Sequence, residues 1–341
     1  MTTLDTTRGS PYAELARQVR QAGLMNRRPG YYSVRITATL LAYAGIGVAV
    51  VVIGPSWWVL APAALLAVAY TQLAFIGHDA GHKQIFPGRR GNELLGVALG
   101  ALLVGLSYGW WIDKHNRHHA HPNQQGKDPD INPGVLVFVA TGGPARRGLR
   151  RVWTRLQAYV FFPLLLLEGL HLHIASLRSL AKRKARYRRL EIGLFGTHLV
   201  GYLGGLFVLL TPGQAVVFMV VHQGLFGLYM GCSFAPNHKG MPVLAADDTA
   251  DFLRRQVLTS RNVNGGRLVD GILGGLNYQI EHHLFPSMPS VNLRRAKPIV
   301  QEFCAKTGVS YAETGLIKSY RLALRHLHES GAPLRRQKAE A

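Results

Sequence analysis

The chain has 341 residues, of which 48% are hydrophobic and only 17% are charged. Soluble domains usually carry about a quarter of charged residues, so this balance excludes a typical soluble domain and indicates apolar membrane segments joined by polar loops. The 39 lysines and arginines exceed the 18 acidic residues and give a formal net charge of +21, which suits an anionic membrane surface, an acidic protein or a nucleic acid as partner.

The N-terminal stretch up to Arg35 is polar and basic, and it contains neither the apolar core nor the small-residue cleavage site of a signal peptide. We expect residues 1–33 to form a cytosolic tail with one amphipathic helix, from about Pro11 to Leu24. The two cysteines, Cys232 and Cys304, form no CxxC pair and no disulfide framework, as expected for a protein that faces the cytosol.

Apolar runs long enough to cross a bilayer, which takes about 20 helical residues, occur in two pairs. Gly- and Pro-containing turns, GPSWW and TPGQ, connect the members of each pair, so two helical hairpins are predicted. The predicted spans are Ile36–Ile53, Trp57–Gly77, Ile192–Leu210 and Ala215–Ala235.

The distribution of positive charge predicts the orientation of these spans. No Lys or Arg lies between Arg35 and Lys83, or between Arg189 and Lys239, so both hairpin turns lack positive charge. By the positive-inside rule, the basic tail and long loops are cytoplasmic. We expect a multi-pass integral protein of a bacterial cell membrane with cytoplasmic termini. This arrangement accounts for most of the net charge, and no nucleic-acid motif accompanies it, so no nucleic acid is expected as partner.

Two further apolar runs, Leu94–Ile112 and Leu156–Leu172, must either both cross the membrane or both stay on one side, because a single crossing would turn the basic run before Ile192 outward. We predict that neither crosses. The first would be an interfacial or re-entrant helix at 94–112, and the second an amphipathic interfacial helix at 156–180. The predicted fold is therefore all-α: a four-helix transmembrane bundle with interfacial helices and, from about Lys239, a cytosolic helical cap.

Histidines are concentrated in four short clusters near the predicted cytoplasmic ends of the spans. The spacings H-x-x-x-H and H-x-x-H-H bring their imidazoles to one face of a helix, and a Q-x-x-H-H pattern occurs in the cap. The clustered residues are His78, His82, His115, His118, His119, His238, Gln279, His282 and His283.

Crowded imidazoles repel when protonated but are favourable as ligands of a metal ion, and imidazole is the commonest protein ligand of first-row metals. One cluster alone is more typical of packing, whereas four on one face indicate a metal centre. A catalytic zinc needs about three protein ligands, calcium and magnesium prefer oxygen, and a haem needs one or two axial residues. Eight histidines and Gln279 suit two iron ions with an open position for O₂. Candidates for side chains that orient the ligating imidazoles are Asp79, Asp113, Asn237 and Glu281.

The three patterns, in this order and spacing, resemble the histidine boxes of the membrane fatty acid desaturases over roughly residues 40–310. The segment NYQIEHHLFPSMP at 277–289 is similar to the third box of the front-end desaturases, which begins with Gln. The resemblance implies a catalytic di-iron centre held by the boxes and by one further histidine beyond the last span, a position that His238 matches. It also implies a desaturase domain, which we place at 34–310 and follow with a basic tail at 311–341.

The resemblance further implies an enzyme that uses O₂ to introduce a cis double bond into a fatty acyl chain, carried as acyl-CoA or acyl-lipid. The H-P-G-G haem motif of a fused cytochrome b5 is absent from this sequence, so a separate electron donor is expected, either ferredoxin-type or cytochrome b5-type with its reductase. Two alternatives stay open. One is a hydroxylase or other oxygenase of the same family; the other is a membrane metal transporter, which needs polar residues within the spans, where His198 and His222 are the main titratable groups.

Overall fold

The computed structural model describes residues 10–132, 134–139, 147–182 and 185–332. The chain divides into two compact units. The span unit consists of the described residues of Arg28–Asn116 and Gln157–Phe234, and the C-terminal unit consists of the described residues of Met1–Arg27, Arg117–Leu156 and Ala235–Ala341.

Helices dominate the described part of the chain. In order up to the fourth long apolar helix they are α1 (Pro11–Gln21), α2 (Pro29–Ile53), α3 (Leu60–Gly81), α4 (Arg89–Val97), α5 (Tyr108–Ala120), α6 (Gly148–Leu165), α7 (Glu168–Lys182), α8 (Arg188–Leu199), α9 (Gly205–Leu209) and α10 (Pro212–His238). A 3₁₀ turn, Trp57–Val59, precedes α3, and π-helical turns, Ala98–Val104 and Val200–Gly204, continue α4 and α8.

The C-terminal region is a set of shorter helices with one small sheet. The helices are α11 (Phe252–Leu258), α12 (Gly266–Ile272), α13 (Gln279–Leu284), α14 (Ser290–Thr307) and α15 (Leu316–Ser330). Strands β1 (Asn262–Asn264) and β2 (Glu313–Gly315) pair in parallel, with Val263 opposite Thr314. The predicted helical character of this region is confirmed, and the short parallel pair is an addition that its sequence did not indicate.

Within the described residues, four helices are long and apolar enough to cross a membrane: Pro29–Ile53, Trp57–Gly81, Arg188–Leu209 and Pro212–His238. They coincide with the four predicted spans and mostly extend past the apolar runs, because backbone i→i−4 hydrogen bonds continue into polar residues at the helix ends. The predicted amphipathic helix near the N-terminus is also confirmed as α1. The observed fold is therefore all-α, with helices long and apolar enough to span a membrane.

The two remaining apolar runs form bent helix pairs. Arg89–Val104 and Tyr108–Ala120 meet at 117°, and Gly148–Leu165 and Glu168–Lys182 meet at 82°. At the first break Gly105 has a φ of +77°, a left-handed conformation that glycine adopts without steric cost. By length and composition each pair is either one broken span or a re-entrant loop. The expectation that neither pair crosses the membrane therefore stays a prediction.

Each unit has its own apolar core. In the span unit, Leu66, Tyr70 and Leu73 of α3 pack in one cluster with Phe218 and Phe226 of α10. In the C-terminal unit, residues of α1, α11, α13 and α14 share a second cluster, among them Leu15, Val257, Leu284 and Val300. Both α1 and α15 belong to the C-terminal unit, while the domain limits predicted at 34 and 310 stay a prediction.

Candidate metal centre

The predicted ligands lie at the ends of helices or in short helices. His78 is in the last turn of α3, and His82 follows the last residue of that helix. His115, His118 and His119 share α5, and His238 is the last residue of α10. The short helix α13 presents Gln279, His282 and His283, all of them buried.

In the span unit, His78, His82 and His115 bring one ring nitrogen each to within 4.8 Å of the others. Nε2 of His82 lies 2.8 Å from Nε2 of His115. Trp111, one turn before His115 on α5, stacks on its ring with centroids 4.5 Å apart and planes at 19°. Gly81 leaves room for Trp111, since a Cβ on this glycine would lie 2.5 Å from its ring. The three imidazoles are therefore held by close packing.

Asp79 lies next to His78 and is itself tightly held. Its Oδ1 is 3.4 Å from Nδ1 of His78, and its Oδ2 accepts a hydrogen bond of 2.9 Å from the guanidinium of Arg35. The hydroxyl of Tyr32 lies 3.1 Å from the same Oδ2. Because a buried carboxylate is stable only when it is paired and hydrogen-bonded, Arg35 and Tyr32 keep Asp79 in place beside His78.

In the C-terminal unit, His118, His238 and His283 form a fully buried trio whose ring nitrogens lie within 4.8 Å of one another. Each Nδ1 meets a hydrogen-bond acceptor: Asp128 Oδ2 at 3.0 Å, the carbonyl of Thr259 at 3.0 Å and Gln256 Oε1 at 2.9 Å, respectively. An imidazole whose Nδ1 carries the proton has its free lone pair on Nε2. Nε2 of His118 and Nε2 of His238 are 3.3 Å apart, so these lone pairs face a common point.

Gln279 lies against this trio. Its side-chain amide is 2.8 Å from Nε2 of His238, and its Oε1 accepts a hydrogen bond of 3.2 Å from Nδ2 of Asn237. Asn237 Nδ2 also donates to the carbonyl of Leu276 at 3.0 Å. Asn237 thus positions the Gln279 amide at the same nitrogen that His238 would offer to a metal ion.

His119 and His282 form a further pair in the C-terminal unit, with their Nε2 atoms 3.1 Å apart. His119 stacks on the ring of His283 with centroids 4.2 Å apart and planes at 13°. Gln256, which accepts from His283, donates through Nε2 to the backbone carbonyl of His119 at 2.9 Å. One buried glutamine therefore links the second and third histidine boxes.

The other two acidic residues predicted to orient imidazoles have different surroundings. Glu281 is buried and accepts hydrogen bonds from Asn262 (2.7 Å) and the hydroxyl of Tyr311 (2.6 Å). Burial raises the pKa of Glu281 although these two hydrogen bonds oppose the rise. Asp113 is exposed on α5. The roles assigned to both residues stay a prediction.

Sequence reasoning missed Asp128, Gln256 and the carbonyl of Thr259 as partners of the rings that are predicted to bind metal. A signal for Asp128 was present in the segment KDPD, which follows the second box closely and holds two carboxylates. Burial disfavours protonation of His118, but Asp130 and Asp128 outweigh it and raise the pKa of this imidazole.

Arg261 was also missed, and it secures the helix end that carries His238. Its guanidinium is buried and donates to the carbonyl oxygens of Pro236 and Lys239 and to Oγ of Ser319, at 2.9–3.1 Å. The last carbonyls of a helix have no partner within the helix and carry partial negative charge, so a cation there is favourable. Burial lowers the pKa of Arg261 to about 10, at which it is still charged at neutral pH.

The histidines that were not assigned to iron have structural partners. At the break between the π-turn and α5, Nδ1 of His198 lies 3.0 Å from the carbonyl of Leu102, and Nε2 of His173 lies 3.0 Å from that of Val104. His222 bonds the hydroxyl of Tyr202 at 2.7 Å. His173 and His198 thereby satisfy carbonyls that the break of the helix leaves open.

Comparisons with known proteins agree with this geometry. The family model "Fatty acid desaturase" matches residues 55–315. An acyl-lipid (9-3)-desaturase of Physcomitrium patens is 33% identical over 80% of this chain and 53% of its own length. A Delta(5) fatty acid desaturase of Caenorhabditis elegans is 30% identical over 88% of this chain and 69% of its own.

A fatty acid desaturase 2-like protein of Mus musculus is 31% identical over 82% of this chain and 58% of its own length. The chain thus spans about half to two thirds of the length of these relatives. The matched region includes all three histidine boxes and His238, whose side chains converge in the groups described above. The chain therefore belongs to the fatty acid desaturase family.

Proposed function

We propose that this integral membrane protein is a fatty acyl desaturase, which uses two iron ions and O₂ to introduce a cis double bond into an acyl chain. The observation that carries the proposal is the buried trio of His118, His238 and His283, whose ring nitrogens lie within 4.8 Å of one another and whose Nδ1 atoms each face a hydrogen-bond acceptor. The family match and the printed names of the relatives support the reaction type.

The ligands in this proposal are the seven histidines of the boxes, His238 and Gln279. His78, His82 and His115 belong to the span unit, and His118, His119, His238, Gln279, His282 and His283 to the C-terminal unit. A set of neutral imidazoles with one amide suits iron, whereas calcium or magnesium would require oxygen ligands. Asp79, Asp113, Asn237 and Glu281 stay proposed as residues that orient the ligands.

Bound iron with O₂ supplies the oxidising power that an unactivated C–H bond requires and that side chains lack. In the overall reaction the acyl chain would lose two hydrogens, and two electrons from the donor together with two protons from solvent would complete the reduction of O₂ to two molecules of water. The hydrogen-bond acceptors on Nδ1 hold the buried imidazoles of His118, His238 and His283 in one tautomer. Binding of the acyl chain must also fix one pair of carbons near the centre, because proximity and orientation decide which bond reacts.

The substrate, the partners and the orientation are parts of the same proposal. The name of one relative, acyl-lipid desaturase, supports an acyl-lipid substrate, with acyl-CoA as the other carrier. A separate ferredoxin-type or cytochrome b5-type protein would deliver the electrons. The basic loops support a cytoplasmic position of the site and contacts with anionic membrane lipids.

Expression in a host of known lipid composition, followed by mass spectrometry of the lipids, tests the proposal. A new product that lacks two hydrogens is expected, and it should be absent from a host that expresses His118→Ala at the same level. A product that gains one oxygen would instead identify a hydroxylase. Membrane-inserted, iron-containing protein that leaves every lipid unchanged in the presence of an electron donor would contradict an acyl-lipid activity.

A further inference from the structure

We propose that Asp128 is a positioning residue of the metal centre, whose carboxylate fixes the ring of His118 so that Nε2 is directed at the metal ion. This inference rests on the proposed function for the presence of iron. The carboxylate of Asp128 is fully buried, and its two oxygens lie 3.0 and 3.1 Å from Nδ1 of His118.

The carboxylate is rigidly held by the loop that follows the second histidine box. Its Oδ2 accepts the backbone N–H of Asn123 at 2.7 Å, and its Oδ1 accepts the backbone N–H of Asp130 at 2.8 Å. The Asn123 side chain donates in turn to the carbonyl of His238 at 3.1 Å. Hydrogen bonds from three sides fix the carboxylate, so it has no freedom to rotate away from the imidazole.

This arrangement distinguishes His118 from the other members of the trio. Nδ1 of His238 and Nδ1 of His283 face neutral acceptors, a backbone carbonyl and the amide of Gln256, whereas His118 faces an ionised group. A carboxylate only accepts, so it excludes the tautomer in which the proton sits on Nε2 and blocks the metal ion. Burial of a charged side chain is unfavourable unless the charge is well paired. The orientation of the His118 ring is a function that would account for the buried carboxylate of Asp128.

The variant Asp128→Asn tests the role, because an amide offers only one acceptor oxygen to the two backbone N–H groups and the ring. Loss of a carboxylate that orients a ligating histidine typically weakens metal binding about 10- to 100-fold. Iron per chain in purified protein, and iron retained during competition with a chelator, should fall by such a factor. Asp248→Asn is the matched control, since Asp248 bonds the nearby backbone N–H of Ala250, and it should retain iron like the unaltered chain.

Two further measurements separate positioning from mere shaping of the loop. In the His118→Ala background, Asp128→Asn should lower iron retention no further, because it acts through that ring; additive losses would overturn the proposal. After iron removal, Asp128→Asn and the unaltered chain should unfold at nearly the same thermal midpoint, although the variant retains much less iron. If Asp128→Asn does not accumulate as folded protein, Asp128→Glu, which keeps the carboxylate, should fold and retain an intermediate amount of iron; full retention would overturn the proposal.

A different outcome would assign the carboxylates another role. His118, Asp128 and Asp130 also lie close enough together to bind a cation directly. Asp130 Oδ2 lies 3.5 Å from Nδ1 of His118, so if Asp130→Asn lost as much iron as Asp128→Asn, the role would not belong to Asp128 and the proposal would be wrong. An unaltered chain that makes no double bond, while Asp128→Asn still loses iron, would contradict the proposed function but not this inference.

Discussion

The amide of Gln279 lies 2.8 Å from Nε2 of His238, although 41 residues separate the two in the sequence. Gln279 stands where the H-x-x-H-H pattern has its first histidine, and His238 is the one proposed histidine ligand that lies outside the three boxes. The contact therefore brings together the two proposed ligands that depart from the regular histidine pattern. Whether an amide at this position binds the metal or only shapes the site is open to a direct test.

Replacement of Gln279 by Leu keeps much of the side-chain volume and removes the donor atoms. We expect iron per chain to fall and the affinity for iron to weaken about 10-fold. Gln279→His should retain iron, because an imidazole is a good ligand at the same place. Elemental analysis of purified variants is the measurement, and full iron content in the Leu variant would show that the amide is no ligand.

Arg261→Lys should destabilise the protein by about 2–4 kcal/mol, because an ammonium cannot reach the two backbone carbonyls and Ser319 together. Thermal unfolding in detergent measures the effect. Arg254→Lys is the control, since Arg254 is exposed on α11, where it forms an ion pair with Asp251. A melting midpoint of Arg261→Lys equal to that of the control would refute a stabilising role at the end of α10.

Gly81→Ala should abolish most of the activity, because the new Cβ would lie 2.5 Å from the Trp111 ring that stacks on His115. Gly77→Ala, one turn earlier on α3, places its Cβ in open space and should behave as the unaltered chain. Product formation per folded protein and tryptophan fluorescence are the measurements. Equal activity of the two variants would mean that the Trp111 contact has no influence on the site.

Glu191→Ala should lower stability by about 1–2 kcal/mol through the loss of a helix cap. The buried carboxylate accepts from Oγ of Ser107 at 2.6 Å and from the backbone N–H of Gly109 at 3.1 Å, at the start of the helix with the second box. Glu191→Gln retains an acceptor and should lose less. Glu302→Ala, on the surface of α14, serves as control in the same thermal measurement, and an Ala variant of Glu191 as stable as this control would contradict the capping role.

The sequence alone predicted four spans, since the length of an apolar run and the position of lysines and arginines follow directly from the physics of the bilayer. Helical spacing also predicts that the histidines of one box lie near one another on a single helix, but it does not predict which boxes contribute to each group. The break at Gly105 was only partly foreseen. The sequence indicated an irregular element at 94–112, but not that His173 and His198 would satisfy its open carbonyls.

Only the tertiary structure decided which atoms hold the ligating rings. Asp128, Gln256 and the carbonyl of Thr259 lie 10, 27 and 21 residues from the histidines whose Nδ1 they engage. No periodicity relates such pairs, because a hydrogen bond needs a distance near 3 Å and this depends on the path of the whole intervening chain. The order and spacing of the histidines therefore indicated metal binding. The orientation of each imidazole, by contrast, is set by residues that contact it only in the folded chain.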